Sequence, residues 1–151
     1  MALVLDSGVI FGALATSDPD YARCSKLLLE TTEPLVVPTL VLVEDEYFVR
    51  KFGTIPAWTT FIEDLEAGTY VLHEFDSRLL RSSTDSQARY SDQPIGLVDA
   101  SVFVTCEQLG EDKVATLDHR HFGVMRTEGA ERAATAPRPL RIDRPPTPSA
   151  F

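Results

Sequence analysis

The sequence has little of several features that would assign a chain to a class at once. It has only two cysteines, Cys24 and Cys106, without the spacing of metal ligands, so we predict two buried thiols in a reducing compartment. No apolar run approaches the roughly 20 residues of a membrane span. No basic segment precedes the first apolar run at residues 2–5. We therefore expect no membrane span, no secretory signal and a cytoplasmic location, with secretion left open.

The chain also lacks a surplus of basic residues. Its formal net charge is −9, and residues 1–119 carry 8 Lys and Arg against 20 Asp and Glu. Residues 120–151 reverse this balance with 6 against 3. An acidic body disfavours nonspecific binding of nucleic acid through a basic face. It is compatible with a basic protein partner, and with RNA if metal ions and a few local arginines supply the positive charge.

What the chain does have is an alternation of short apolar runs and helical patterns. A chain of 151 residues with 44% hydrophobic composition fits one domain with a good core. Strands alternating with helices predict an α/β fold of three layers, with helices on both faces of a mainly parallel sheet. The predicted strands lie at residues 2–5, 35–37, 69–72 and 113–117, and the predicted helices at 9–14, 19–30, 40–52, 54–67, 76–90 and 95–109.

The pattern weakens after residue 126, where the chain becomes rich in proline, alanine and arginine. Five of the ten prolines fall between Pro137 and Pro148. We therefore predict a domain at residues 1–126 and a C-terminal extension at 127–151, with a possible edge strand at 140–142.

Four carboxylates occupy unexpected positions in these elements. Asp99 falls in the apolar arc of its helix, where a carboxylate needs a partner, although capping of the first helical turn is an equal alternative. Glu44 lies near the middle of the apolar stripe predicted for helix 40–52, whereas Asp45 is predicted to point to solvent with its neighbour Glu46. Asp6 and Asp118 each follow a buried strand.

In a parallel α/β sheet, ligands bind beyond the carboxyl ends of the strands. Asp6, Glu44, Asp99 and Asp118 can converge there in one cleft. Four clustered negative charges are stable only if they share protons or bind a hard cation such as Mg²⁺ or Mn²⁺. A metal held by carboxylates and water suits the hydrolysis of phosphate esters.

Four segments that contain these acids resemble the signature segments of PIN-domain ribonucleases, specifically the VapC-type toxins of bacterial toxin–antitoxin pairs. The resemblance spans residues 2 to about 126. It implies a Mg²⁺-dependent endoribonuclease in which Asp6, Glu44, Asp99 and Asp118 form the catalytic and metal-binding quartet. It also implies an RNA substrate, a homodimer and a cognate VapB-type antitoxin. The segments are Val4–Ser7, Val37–Glu44, Gly96–Ser101 and Ala115–Phe122.

Some positions near the quartet leave alternatives open. The family often has Ser or Asn where this chain has Gly8, so a supporting hydroxyl has to come from Ser7 or is missing. Ser101 and Thr116 either orient metal ligands or have ordinary structural roles. The pair His119 and His121 lacks further ligands for a transition metal, so a loop position is favoured.

Two other functions compete with the nuclease. A phosphoaspartyl hydrolase would use Asp6 as its nucleophile, but it usually needs an acid where Gly8 stands and a lysine in the cleft, and Lys113 lies before its strand instead. A catalytically weak binding module would act only through its antitoxin complex. The intact quartet favours the nuclease over both.

Overall fold

The computed structural model describes residues 1–118 and the backbone of residues 138–140. Up to β4, short strands alternate with pairs of helices, as predicted. The strands are β1 Leu3–Leu5, β2 Leu35–Pro38, β3 Tyr70–His73, β4 Lys113–Ala115 and β5 Arg138–Leu140. The helices are α1 Ser7–Leu14, α2 Tyr21–Glu30, α3 Thr39–Phe52, α4 Ile55–Glu66, α5 Ser77–Arg89 and α6 Leu97–Leu109.

The strands form one sheet in the order β3-β2-β1-β4-β5, and every neighbouring pair is parallel. The chain moves outward from β1 to β3 and then returns to the other side of β1. With right-handed crossovers, this reversal places α5 and α6 on the opposite face from the helices α1 to α4. The predicted α/β architecture is confirmed, and the strand order reverses between β1 and β4, where such folds bind ligands.

The core lies between the central strands and the helices. All residues of β1 and β2 are buried, and Val9, Val41 and Phe61 from three helices pack against them. A second apolar cluster, centred on Phe103, joins α5 to α6. Both cysteines are free and buried, as predicted, so they serve as small core side chains.

Three predictions need correction. Helix α2 begins at Tyr21 rather than at residue 19, because Asp18 uses its side chain to close a turn onto the backbone N–H of Asp20 at 2.8 Å. A helical wheel of residues 95–109 predicts that Ser101 and Thr105 lie opposite the apolar arc, on the solvent side. In the structure both are buried, because α6 is covered on both sides. The predicted edge strand exists, but β5 begins two residues earlier, at Arg138.

None of the helices in the described ranges combines the length and the apolar character that crossing a membrane requires.

Candidate metal centre

Asp6 is the central carboxylate of the candidate site. It follows β1 directly, its backbone N–H donates to the carbonyl of Ala115 at 3.0 Å, and its side chain caps the start of α1. One carboxylate oxygen accepts from the Ser7 N–H at 2.8 Å, and the other accepts from the Thr116 hydroxyl at 2.7 Å. Asp6 is therefore fixed where β1 and β4 end side by side.

The electrostatic environment of Asp6 disfavours its charged form. Burial raises its pKa from 3.8 to about 6, and the nearby charges of Asp99 and Glu44 add to this increase. The hydrogen bonds from Thr116 and Ser7 act in the opposite direction. Asp99 and Glu44 therefore both lie within electrostatic reach of Asp6.

Glu44 joins the site through Ser7. The Ser7 hydroxyl donates to a carboxylate oxygen of Glu44 at 2.5 Å, and thereby connects α3 to the start of α1. Ser7 therefore supplies the supporting hydroxyl that Gly8 cannot provide. It orients Glu44 towards the end of β1.

Asp99 occupies the first turn of α6, where one of its oxygens accepts from the Gly96 N–H at 3.1 Å. The capping interpretation is therefore correct for this oxygen. The same carboxylate contributes to the raised pKa of Asp6, so the two interpretations of Asp99 are compatible. Gly96 leaves room for this contact, because a Cβ there would lie 3.3 Å from the carboxylate oxygen.

Asp118 is placed by the residue that also holds Asp6. Its backbone N–H donates to the Thr116 hydroxyl oxygen at 3.0 Å, while the Thr116 hydroxyl donates to Asp6. Thr116 thus positions two predicted acids at once, whereas the Ser101 hydroxyl only donates to the carbonyl of Val98 at 2.7 Å in its own helix. His119 and His121 lie outside the described residues.

Asp45 is the residue that the sequence analysis placed wrongly. It is 0% exposed, whereas Val43 and Tyr47 are 68% and 47% exposed, although both belong to the apolar stripe predicted for helix 40–52. Helix α3 is rotated so that Val41, Asp45 and Val49, spaced four residues apart, face inward. The spacing of four residues between Val41, Asp45 and Val49 was the sequence signal for this buried face. The prediction chose the other face instead, because that face is more apolar.

The carboxylate of Asp45 is poorly compensated. Neither of its oxygens has a hydrogen-bond partner among the described residues. The backbone of Phe11 lies near enough to favour the charged form of Asp45. The two groups are not placed so as to form a hydrogen bond, however. Burial raises the pKa of Asp45 well above its ordinary value, and the charges of Asp6 and Glu44 raise it further.

The donor set fits a hard divalent cation. Asp6, Glu44 and Asp99 offer carboxylate oxygens, which Mg²⁺ and Mn²⁺ prefer. In residues 1–118 and 138–140, no three side chains of His, Cys, Asp or Glu stand close enough together to hold a metal ion. The structure therefore brings these acids into one region without placing their oxygens at coordination distance.

The geometry disfavours the phosphoaspartyl alternative. Lys113 begins β4 and therefore lies at the end of the sheet opposite to Asp6, where its ammonium pairs with Glu33 at 2.5 Å. A nucleophilic Asp6 would need such a cation beside it.

Comparison with known proteins gives a consistent picture. The model of the PIN domain family matches residues 3–126. Ribonuclease VapC26 of Mycobacterium tuberculosis (strain ATCC 25618 / H37Rv) is 25% identical over 135 residues, which cover 89% of this chain and 100% of that protein.

Two solved structures share the fold. The crystal structure of M. tuberculosis VapC20, described as a sarcin–ricin loop cleaving toxin, has a TM-score of 0.71 at 15% identity. The match covers 80% of this chain and 92% of VapC20. FitAcB from Neisseria gonorrhoeae has a TM-score of 0.51 at 19% identity, with 80% and 91% of the two chains covered.

Proposed function

The chain belongs to the PIN domain family, and we propose that it is a metal-dependent endoribonuclease of the VapC type, the toxin of a toxin–antitoxin pair. The observation that carries this proposal is Asp6 at the point where the strand order reverses. Burial raises the pKa of Asp6, and the charges of Asp99 and Glu44 raise it further. The similarity to Ribonuclease VapC26 along almost the whole chain supports the same activity.

Asp6, Glu44, Asp99 and Asp118 would hold Mg²⁺, with Mn²⁺ as a substitute. Such an ion, when bound, makes hydroxide available near neutral pH and neutralises charge on the phosphate. The protein's own contribution is to position the ligands. Thr116 and the N–H of Ser7 fix Asp6, and the Ser7 hydroxyl orients Glu44.

The acidity of the body is consistent with this role. RNA phosphates would be repelled by the negative charge of four carboxylates in one region, so the substrate would bind productively only after the cation. We expect recognition of the RNA by its shape and by surface loops, as is general for structured RNA. The site of action would be the cytoplasm.

Cleavage of RNA by the purified chain tests the proposal. Total RNA, and a hairpin with the sarcin–ricin loop named for VapC20, are incubated with Mg²⁺ or Mn²⁺, with EDTA, and with the variant Asp99→Asn. Asp112→Asn is the matched control, because it removes one negative charge from an exposed residue before β4.

Discrete products that disappear with EDTA and in Asp99→Asn, but persist in Asp112→Asn, are the expected result. Cleavage that persists in Asp99→Asn would contradict the assigned site. Absence of cleavage, together with antitoxin binding, would favour the alternative of a binding module that lacks catalysis.

The surface next to the site supports a protein partner. An open groove of about 560 Å³ is lined by Phe11, Phe48, Phe52 and Leu117, together with Asp18. Apolar walls with a carboxylate among them suit a segment that combines apolar and basic side chains. The proposal assigns this groove to the VapB-type antitoxin.

A second apolar surface supports a homodimer. Val43 and Tyr47 lie one turn apart on the outer face of α3 and are both exposed. Exposed apolar neighbours on one helix are typical of protein interfaces. Tyr47→Glu is expected to convert the dimer into a monomer in light scattering, whereas Phe52→Glu should weaken antitoxin binding. A monomeric parent chain would contradict the dimer.

A further inference from the structure

The segment that connects α5 to α6 is held by a polar side chain outside the four-acid site. Gln87, in the last turn of α5, donates from its amide nitrogen Nε2 to the backbone carbonyl of Ile95 at 3.0 Å. This hydrogen bond spans eight residues and crosses the loop between the two helices. Because it is made to the main chain, it fixes the path of the backbone that enters α6.

Ile95 has further contacts that keep it in place. Its side chain is 7% exposed and belongs to the apolar cluster centred on Phe103. Its N–H donates to the carbonyl of Gln93 at 2.8 Å. Apolar packing has little directional preference, whereas a hydrogen bond is directional. The hydrogen bond from Gln87 therefore determines the direction of the Ile95 carbonyl.

A single peptide unit connects Gln87 to Asp99. The carbonyl of Ile95 and the N–H of Gly96 belong to the same planar group, in which they point in opposite directions because the bond is trans. The carbonyl accepts from Gln87 at 3.0 Å, and the N–H donates to a carboxylate oxygen of Asp99 at 3.1 Å. A rotation of this plane would misdirect both hydrogen bonds. Hydrogen bonds in such a chain also polarise one another, so the bond at the carbonyl makes the N–H a stronger donor.

We propose that Gln87 is a positioning residue of the metal centre, which orients the carboxylate of Asp99 through the Ile95–Gly96 peptide unit. This inference rests on the proposed function, which makes Asp99 a ligand of the divalent cation. Gln87 itself contacts neither the cation nor the RNA in this role. It acts as the outer hydrogen-bonding partners of metal ligands do, because they hold a ligand in the direction that coordination requires.

The experiment is a titration of the metal-free, full-length chain with MnCl₂, followed by calorimetry in the absence of RNA. Gln87→Met keeps the length of the side chain and removes the donor. Gln87→Asn keeps the amide, but it is one methylene group shorter, so its nitrogen does not reach the Ile95 carbonyl. Both variants should weaken Mn²⁺ binding about tenfold, because Asp99 is no longer held in one orientation.

Amide hydrogen exchange, followed by NMR on the same metal-free chains, provides a second measurement. In both Gln87 variants the Gly96 N–H should exchange faster, because its peptide unit turns more freely. The factor should be larger for Gly96 than for the amides of β1, which report on unfolding of the whole domain. A role in stability alone would accelerate both by the same factor.

The matched control is Gln108→Met. Gln108 lies in the last turn of α6, and its side-chain oxygen is 3.1 Å from Nε2 of His73, so this hydrogen bond links α6 to β3. The control makes the same substitution and also removes one hydrogen bond between elements, but at the end of α6 opposite to Asp99. The Mn²⁺ dissociation constant should stay within about twofold, because distant residues that share no partner do not couple.

Asp99→Asn, titrated in parallel, separates this inference from the proposed function. If Asp99→Asn weakens Mn²⁺ binding and the Gln87 variants do not, the positioning role is wrong and the metal centre stands. If Asp99→Asn has no effect either, the assigned metal centre is wrong as well.

Two further results would overturn the inference. If Gln108→Met weakens Mn²⁺ binding as much as Gln87→Met does, the cause is a general loosening of α6 rather than the orientation of Asp99. If both Gln87 variants fail to fold, Gln87 is required by the fold and not by the metal centre.

Discussion

Carboxylates at the two ends of the sheet have different kinds of partner. At the amino end, Lys113 pairs with Glu33, and Glu111 accepts from the Ala2 N–H at 2.6 Å close to the terminal ammonium group of Met1. At the carboxyl end, the contacts described for Asp6 and Glu44 come from hydroxyls and backbone amides.

This difference separates stability from function. Carboxylates that pair with cations of the same chain have their charge balanced once the chain has folded. Carboxylates held only by neutral donors keep a net negative charge, which is available to an external cation. The amino end therefore stabilises the fold, and the carboxyl end carries the proposed metal centre.

The largest effect is expected when the charge at the carboxyl end is removed. Asp6→Asn should reduce RNA cleavage at least about a thousandfold, because the central ligand of the cation is lost. Its free energy of unfolding should stay the same or increase, because Asp99 and Glu44 lose a repelling neighbour. Turnover assays and urea unfolding measure the two quantities. Unchanged turnover would remove Asp6 from the site.

The pH dependence of the free energy of unfolding tests the same difference between the two ends of the sheet. Between pH 4 and 6, the folded chain keeps a proton on Asp6 that the unfolded chain releases, because the pKa is about 6 in the fold and 3.8 outside it. The free energy of unfolding should therefore fall as the pH rises, by about 3 kcal/mol across this window. Urea unfolding in EDTA measures this fall. Asp6→Asn should show a flatter profile, and an identical profile would refute the assignment.

At the amino end, stability should respond and activity should not. Lys113→Met keeps the aliphatic stem but leaves Glu33 partly buried without its cation, at a cost of about 2 kcal/mol. The double variant with Glu33→Gln should recover part of this loss. RNA cleavage by the folded protein should match that of the parent chain. A large loss of cleavage would show that the two ends are coupled.

The smallest effect is expected for the hydroxyl that positions two acids. Thr116→Val removes the hydrogen bonds to Asp6 and Asp118, which should cost about 1 kcal/mol of stability. Cleavage should fall about tenfold, since the ligand loses its orientation. Thr116→Ser keeps the hydroxyl and should restore most of the rate. If Ser does not rescue the rate, the methyl group rather than the hydroxyl is important.

The sequence predicted those parts of the fold that depend on local pattern. The buried strands, the helix stops at Gly53 and Gly110, and the placement of Asp6 after β1 follow from apolar runs and turn residues, and the structure contains them. The family and the endoribonuclease class, inferred from four signature segments, are confirmed by the match over residues 3–126 and by the similarity to a VapC ribonuclease.

The orientation of α3 could not be predicted in this way. Both of its faces carry apolar residues, and a helical wheel selects the more apolar one. Whether Val43 and Tyr47 pack inside this chain or against a partner depends on tertiary contacts that the wheel does not contain. Asp45 was assigned to solvent for this reason. The hydroxyl contacts of Ser7 and Thr116 likewise join segments far apart in sequence.

Strand β5 places the end of the folded sheet beyond the end of the family match. The family match stops at residue 126, but the sheet continues, because Lys113–Ala115 pairs in register with Arg138–Leu140. A chain cut after residue 126 would expose a row of unpaired N–H and C=O groups along β4, beside the proposed metal centre. Such an open edge promotes aggregation. Residues 138–140 of the proline-rich extension are therefore part of the sheet.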